Sequence, residues 1–269
     1  MRNKILAACG CSVGLRRENN EDNFCFQGRY LPADNQGQQK ILTWQGAIAG
    51  RNLFGVFDGM GGESHGETAA FLAASCAAEL LPPKIIRKIL PILPRARNVP
   101  KLLERQIGEM NRRICEETRR THSRRMGSTA AVLFFEGRRG WLCNLGDSPI
   151  FRFREGCLEQ LSVNHTNEES LRQNHITGRK PSLTQHLGIF PEEMILEPYI
   201  APLDFKCGDF FLLCSDGLTD MVSRQEIGDI LSRYSKPEEV ARKLIDTAEE
   251  NGGKDNITVI TVMITGGST

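Results

Sequence analysis

Four short acidic clusters constrain this chain more than any other feature: Glu21-Asp22, Asp58-Gly59, Asp216-Gly217 and Asp255-Asn256. Three of them adjoin an apolar run that reads as β-strand. LFGVFDG (53–59) and FFLLCSDG (210–217) end in Asp-Gly, and DNITVITVMI (255–264) begins with Asp-Asn. A strand end is a rigid mount for a side chain, and the glycine after it lets the backbone turn and approach a ligand closely. Carboxylates converging on one place repel each other unless cations sit between them. Oxygen-only donor sets suit hard, octahedral divalent ions, Mg²⁺ or Mn²⁺, rather than zinc. The pattern reads as a metal-dependent hydrolase.

Composition narrows the setting. The formal net charge of +1 offers no global attraction to nucleic acid or to an anionic membrane, which weighs against a nuclease. The nine cysteines are odd in number, scattered, and contain no C-x-x-C pair, so they read as buried free thiols in a reducing cytoplasm. The start, MRNKILAACG, imitates a lipoprotein cleavage site, but its apolar stretch is far shorter than the roughly 7–15 residues of a signal core. No run approaches the ~18–20 apolar residues of a membrane span. The expected location is cytoplasmic.

Strands are expected over 5–13, 23–27, 40–49, 53–58, 129–136, 140–144, 150–154, 157–161, 194–200, 209–215 and 256–264. Helices are expected over 65–80, 101–120, 224–233 and 236–250, the last with a capping box from Ser235 to Glu238. A basic, proline-broken connector covers 81–101, and residues 162–191 form a long polar, irregular stretch of the kind that carries function. Arg112, Arg113, Arg119 and Arg120 fall on one exposed helix face, read as a solvated surface. Strand runs interrupted by paired helices indicate an α+β sandwich, sheets inside and helices outside, in a single domain over 1–269.

The motifs in chain order are GLRRENNEDNF (14–24), VFDGMGG (56–62), GSTAAVLFF (127–135), NLGDS (144–148), LLCSDGLTD (212–220) and DNITVI (255–260). Each is weak alone; together they resemble the metal-dependent protein Ser/Thr phosphatases of the PP2C (PPM) family, bacterial single-domain type. That resemblance implies a central antiparallel β-sandwich flanked by pairs of helices, and hydrolysis of phosphoserine and phosphothreonine by a metal-activated water. It implies two Mn²⁺ or Mg²⁺ ions: Asp58 bridging them with the Gly59 carbonyl as a neighbouring ligand, Asp216 and Asp255 on one metal, Glu21 on the other, Asp22 in support. Asp147 and Asp220 match positions that bind a third, weaker metal, although Asp147 also reads as a turn residue orienting backbone N–H groups. Arg17 matches the phosphate-binding arginine, with Arg16 as its competitor, because a guanidinium fork suits a phosphate dianion. The implied partners are phosphorylated proteins and a cognate Ser/Thr kinase, with no nucleic acid or membrane, for a monomeric enzyme.

The chain departs from the family at Met60, where many eukaryotic members place a histidine proposed as general acid; His65 or a metal-bound water are the alternatives. Pro149 stands where an arginine usually follows the NLGDS motif, and the flap-like segment 162–191 is short. Two other classes fit parts of the pattern: a pseudophosphatase binding module, and a phosphatase of a small phosphorylated metabolite.

Overall fold

In the computed structural model of the protein, residues 3–48, 50–61, 65–81, 98–123 and 125–266 are described. Most of the expected connector, 82–97, lies outside them. The strands are β1 (Lys4–Ser12), β2 (Asp22–Phe26), β3 (Leu42–Ala47), β4 (Arg51–Met60), β5 (Gly127–Ser128), β6 (Ala130–Glu136), β7 (Arg139–Leu145), β8 (Ile150–Arg154), β9 (Cys157–Gln160), β10 (Tyr199–Leu203), β11 (Phe210–Cys214) and β12 (Ile257–Thr265). They pair antiparallel into two sheets. One runs β3-β1-β12-β11-β8-β9; the other runs β10-β7-β6-β4-β2, with β5 added to β4. Glu155 and Gly156, both at positive φ, close the β8–β9 hairpin as a two-residue turn.

Period-two alternation explains how both faces of each sheet are covered. In β11, Phe211 and Leu213 face the space between the sheets, while Phe210, Leu212 and Cys214 face outward. In β4, Phe54 and Val56 point between the sheets and Leu53 and Phe57 point outward. The outward face of the sheet containing β4 is covered by α1 (Gly66–Ala78), lying on β4 and β2, and by α2 (Val99–Thr121), lying beside α1 and over β7 and β10, through Ala69, Ala73, Leu103 and Ile107. The outward face of the sheet containing β11 is covered by α6 (Pro237–Glu250), lying on β1 and β12, and by α5 (Arg224–Arg233), lying beside α6 and β9, through Ile227, Leu231, Val240 and Leu244. Two further short helices are α3 (Glu168–Gln173) and α4 (Asp216–Thr219). The α+β sandwich expected from the sequence is the architecture observed.

Eight phenylalanines have essentially no exposed surface, each contributing about 1.5–3 kcal/mol of apolar burial. Seven of the nine cysteines are buried and all nine are free thiols.

Three local expectations are corrected. Ser235 and Glu238 form no capping box: Pro237, whose fixed φ and missing N–H suit the first helical position, starts α6 one residue later, with Lys236 as N-cap. A capping box forms instead on α5, between Ser223 and Glu226. The strand expected over 194–200 begins only at Tyr199, because Glu193 and Met194 donate to the Phe190 carbonyl and coil the preceding residues into a turn. The irregular stretch 162–191 contains α3. On α2 the arginine face is solvated but self-neutralised: Arg112 and Arg113 pair with Glu109, Arg119 with Glu192, and Arg120 with Glu117.

Candidate metal centre

One end of the inter-sheet space is polar where the rest is apolar. Asp22 lies in phase with Phe24 and Phe26 on β2, and Asp58 in phase with Phe54 and Val56 on β4, so both carboxylates point between the sheets. They are direct partners in the antiparallel register, Asp22 opposite Asp58. From the other sheet, Ser215 follows the phase of Leu213, and Thr258 that of Ile260. Asp22, 2% exposed, therefore meets them across the gap: the Ser215 hydroxyl donates to Asp22 Oδ2 at 2.7 Å, and the Thr258 amide donates to Ser215 Oγ at 3.0 Å. Asp58 is held through its backbone. Its N–H donates to Thr129 Oγ1 at 3.0 Å, its carbonyl accepts from the Thr129 amide at 2.8 Å, and the Thr129 and Ser148 hydroxyls bond at 2.6 Å.

The glycines of the Asp-Gly pairs serve close approach of backbone to backbone. A Cβ on Gly59 would lie 2.2 Å from the Gly66 carbonyl and 2.4 Å from that of Glu21; one on Gly217 would lie 2.0 Å from the Asn256 carbonyl. These contacts weld the acidic clusters together: Gly59 to the Glu21 loop, Gly217 to the start of β12. Asn256 adds side-chain bonds. Its amide nitrogen donates to the carbonyls of Val13 and Asn19, and its Oδ1 accepts from the Glu21 amide at 2.8 Å.

Electrostatics place the remaining residues. Burial raises the Asp58 carboxyl well above the ordinary carboxylate range, and repulsion from Asp216, Asp22, Asp147 and Asp255 raises it further. Burial likewise pushes Asp22 to about 7, against the stabilising hydrogen bonds of Ser215 and Thr258. Asp147 rises to about 6 through burial and then Asp216. Glu21 is raised by burial and next by Glu67, while Arg17 opposes the shift. The structure thus brings Glu21, Asp22, Asp58, Asp147, Asp216, Asp220 and Asp255 into one electrostatic network.

Two cations of the chain stand at its rim. Arg17 donates to Asp255 Oδ2 at 2.8 Å, and Lys180 bonds both Asp216 and Asp220. Among the described residues, no three His, Cys, Asp or Glu side chains as they stand close on one point tightly enough to hold an ion. The donor chemistry nevertheless fits hard divalent cations: the donors are carboxylates, and their mutual repulsion is what a cation would relieve.

Sequence reading overlooked four contributors: Ser215, Thr258, Glu67 and Lys180. Ser215 stands within the LLCSDG motif and was legible as a hydroxyl in phase with the core. Glu67, in the first turn of α1, keeps a buried carboxylate oxygen without a hydrogen-bond partner beside Glu21. Lys180 carried no motif. His65 is the N-cap residue of α1.

Comparison with known proteins places this arrangement. Residues 33–256 match the family model described as Protein phosphatase 2C. The serine/threonine phosphatase stp of Listeria welshimeri is 31% identical over 260 residues, covering 93% of this chain and 92% of that protein. The serine/threonine protein phosphatase PstP of Mycobacterium tuberculosis is 28% identical over 237 residues; this chain spans only 44% of its length. The solved M. tuberculosis PstP/Ppp structure superposes with a TM-score of 0.75 at 26% identity, covering 97% of this chain and all of that one. A structure of the PstP catalytic domain in complex with 2 manganese ions gives the same TM-score and identity, over 98% of this chain and 100% of that one. With the sandwich, the acidic end and the matched sequence in agreement, the chain belongs to the protein phosphatase 2C family.

Proposed function

We propose that this protein is a metal-dependent protein serine/threonine phosphatase, its whole length forming one catalytic domain with a flap at 162–191. The observation that carries the reading is the convergence of Asp22, Asp58, Asp147, Asp216 and Asp255, from five separate stretches of chain, on one end of the sandwich. Asp58, with the Gly59 carbonyl beside it, would bridge two ions; Asp216 and Asp255 would hold one, and Glu21 the other. Asp147 and Asp220 would serve a third, weaker site. Bound Mn²⁺ or Mg²⁺ would supply a water of lowered pKa and neutralise the phosphoryl oxygens.

The chain's own residues do the positioning. Ser215 orients the Asp22 carboxylate by the hydrogen bond it donates, and Thr129, itself bonded to Ser148, holds the Asp58 backbone in place. Arg17 stands 49% exposed at the rim, within Coulombic reach of Asp255, Glu21 and Asp58. From there its guanidinium can turn from Asp255 to a phosphate dianion and orient it bidentately. Met60 follows Asp58-Gly59 on β4 and offers no proton, so the leaving alkoxide must be protonated by another group.

Phosphorylated proteins are the substrates in this reading and a Ser/Thr kinase the proposed opposing partner, with the enzyme acting as a monomer in the cytoplasm. The free cysteines support a reducing compartment, and no helix among the described residues is long and apolar enough to cross a membrane.

Phosphate release from a phosphothreonine peptide, measured with EDTA, Mg²⁺ and Mn²⁺ in parallel and with Asp58→Asn as control, tests the proposal. Release that depends on metal and vanishes in the variant is expected. No release from folded protein with either metal would reject it in favour of a binding module or a metabolite phosphatase.

A further inference from the structure

Residues 172–180 are exposed without interruption. The segment is anchored at both ends. Before it, α3 is closed by the Asn174, His175 and Ile176 amides, which donate to Ser170, Arg172 and Leu171. After it, Ser182 exchanges hydrogen bonds with Asn167, and Thr184 donates to the His165 carbonyl. Among the described residues, 177–181 make no hydrogen bond or ion pair to the rest of the chain except those of Lys180. Its ammonium lies 2.7 Å from Asp216 Oδ2 and 2.6 Å from Asp220 Oδ2, at the two ends of α4.

We infer that Lys180 is a latch: it ties the flap to the Asp216–Asp220 edge of the acidic centre, and a divalent cation bound at that edge releases it. The inference rests on the metal-dependent reading above. Both events would engage the same carboxylate, that of Asp216, and an ammonium and a divalent ion sharing one edge repel each other. The same ammonium offsets the repulsion that Asp147 feels from Asp216 and Asp220. Removing it should therefore open this edge to a cation without disturbing the facing pair Asp22–Asp58. Metal concentration would then set whether the flap is closed on the site or free to admit a substrate.

Mn²⁺ titration of the full-length protein by calorimetry, for wild type, K180M and K180R, reads the competition directly. Methionine keeps the stem and removes the charge. The weakest Mn²⁺ site should bind about three- to tenfold more tightly in K180M, the scale of two exposed ion pairs lost, while K180R stays near wild type. Limited trypsin digestion reads the flap, since Arg179 offers a cleavable bond and Lys180 is shielded by Pro181. Mn²⁺ should speed cleavage after Arg179 in the wild type, and K180M should be cut fast with or without it. Equal weak-site affinity in wild type and K180M, or cleavage indifferent to Mn²⁺ in the wild type, would overturn the latch while leaving the tight sites and the phosphatase reading intact. Absence of any Mn²⁺ binding would overturn both.

Discussion

The buried half of the acidic centre and its rim solve the same electrostatic problem by different means. Asp22 and Asp58 face each other in register on adjacent strands, Asp22 buried and Asp58 half-buried, and among the described residues neither forms a salt bridge. Burial and mutual repulsion raise both, so without a bound ion they are stabilised by taking up protons. Asp216, Asp220 and Asp255 stand where the chain supplies its own counter-charges, Lys180 and Arg17, on exposed and movable side chains. A rigid, charge-starved interior gives geometry and demand for metal; a neutralised rim gives exchangeable contacts suited to an anionic substrate or a weaker ion. In a protein built this way, changes in the interior should trade stability against activity, and changes at the rim should alter affinity with little effect on the fold.

The hardest test of that contrast is Asp58→Asn. Phosphopeptide turnover should fall by at least about a hundredfold, since even residues that merely orient ligands cost 10–100-fold. Melted in EDTA, the same variant should be more stable than wild type, because a half-buried carboxylate crowded by Asp216, Asp22 and Asp147 has been replaced by a neutral isostere. A lower melting temperature in EDTA would break the contrast.

Ser215→Ala comes next. It strips Asp22 of the 2.7 Å hydrogen bond and leaves the Thr258 amide unmatched, so activity should drop about 10–100-fold and stability by about 1–3 kcal/mol. Equal activity in wild type and variant would remove Ser215 from the positioning set.

Arg17→Ala should raise KM about tenfold more than it changes kcat, consistent with a single charge-assisted contact to phosphate. The exposed ion pair it loses is worth less than about 1 kcal/mol, so the thermal transition should barely move. A selective loss of kcat instead would place Arg17 in the transition state rather than in binding.

The last test sharpens the comparison through pH. Asp22 titrates near 7 in the fold against an ordinary value of 3.8, a raised folded-state pKa. The native state therefore holds an extra proton between those values. The stability this confers is fully present below about pH 4 and is lost as pH rises through about 7. Thermal melts in EDTA should show wild type losing ground to Asp22→Asn across that window and running parallel above it. Saturating Mn²⁺ should flatten the difference, because a cation replaces the proton. A pH-independent gap would mean that Asp22 is ionised throughout.

The apolar periodicity and turn residues placed the strands, helices and Asp-Gly punctuation within a few positions, because those signals are local. So was the choice of carboxylates as hard-cation donors, which follows from residue type alone. Where the local signals competed, they failed: Pro237 overrode the Ser235–Glu238 box, and the turn at Phe190 consumed the first half of the strand expected before Tyr199. The partnerships within the centre were of another kind. Asp22 meets Ser215 across 193 residues of chain, Arg17 meets Asp255 across 238, and Lys180 reaches Asp216 and Asp220 from a segment with no motif of its own. No periodicity encodes which strand end lies against which, since that is settled when the two sheets pack their apolar faces and their polar ends are forced together. The residue types announce a chemistry that needs cations; which acids are buried, and which are answered by the chain's own charges, depends on the packing.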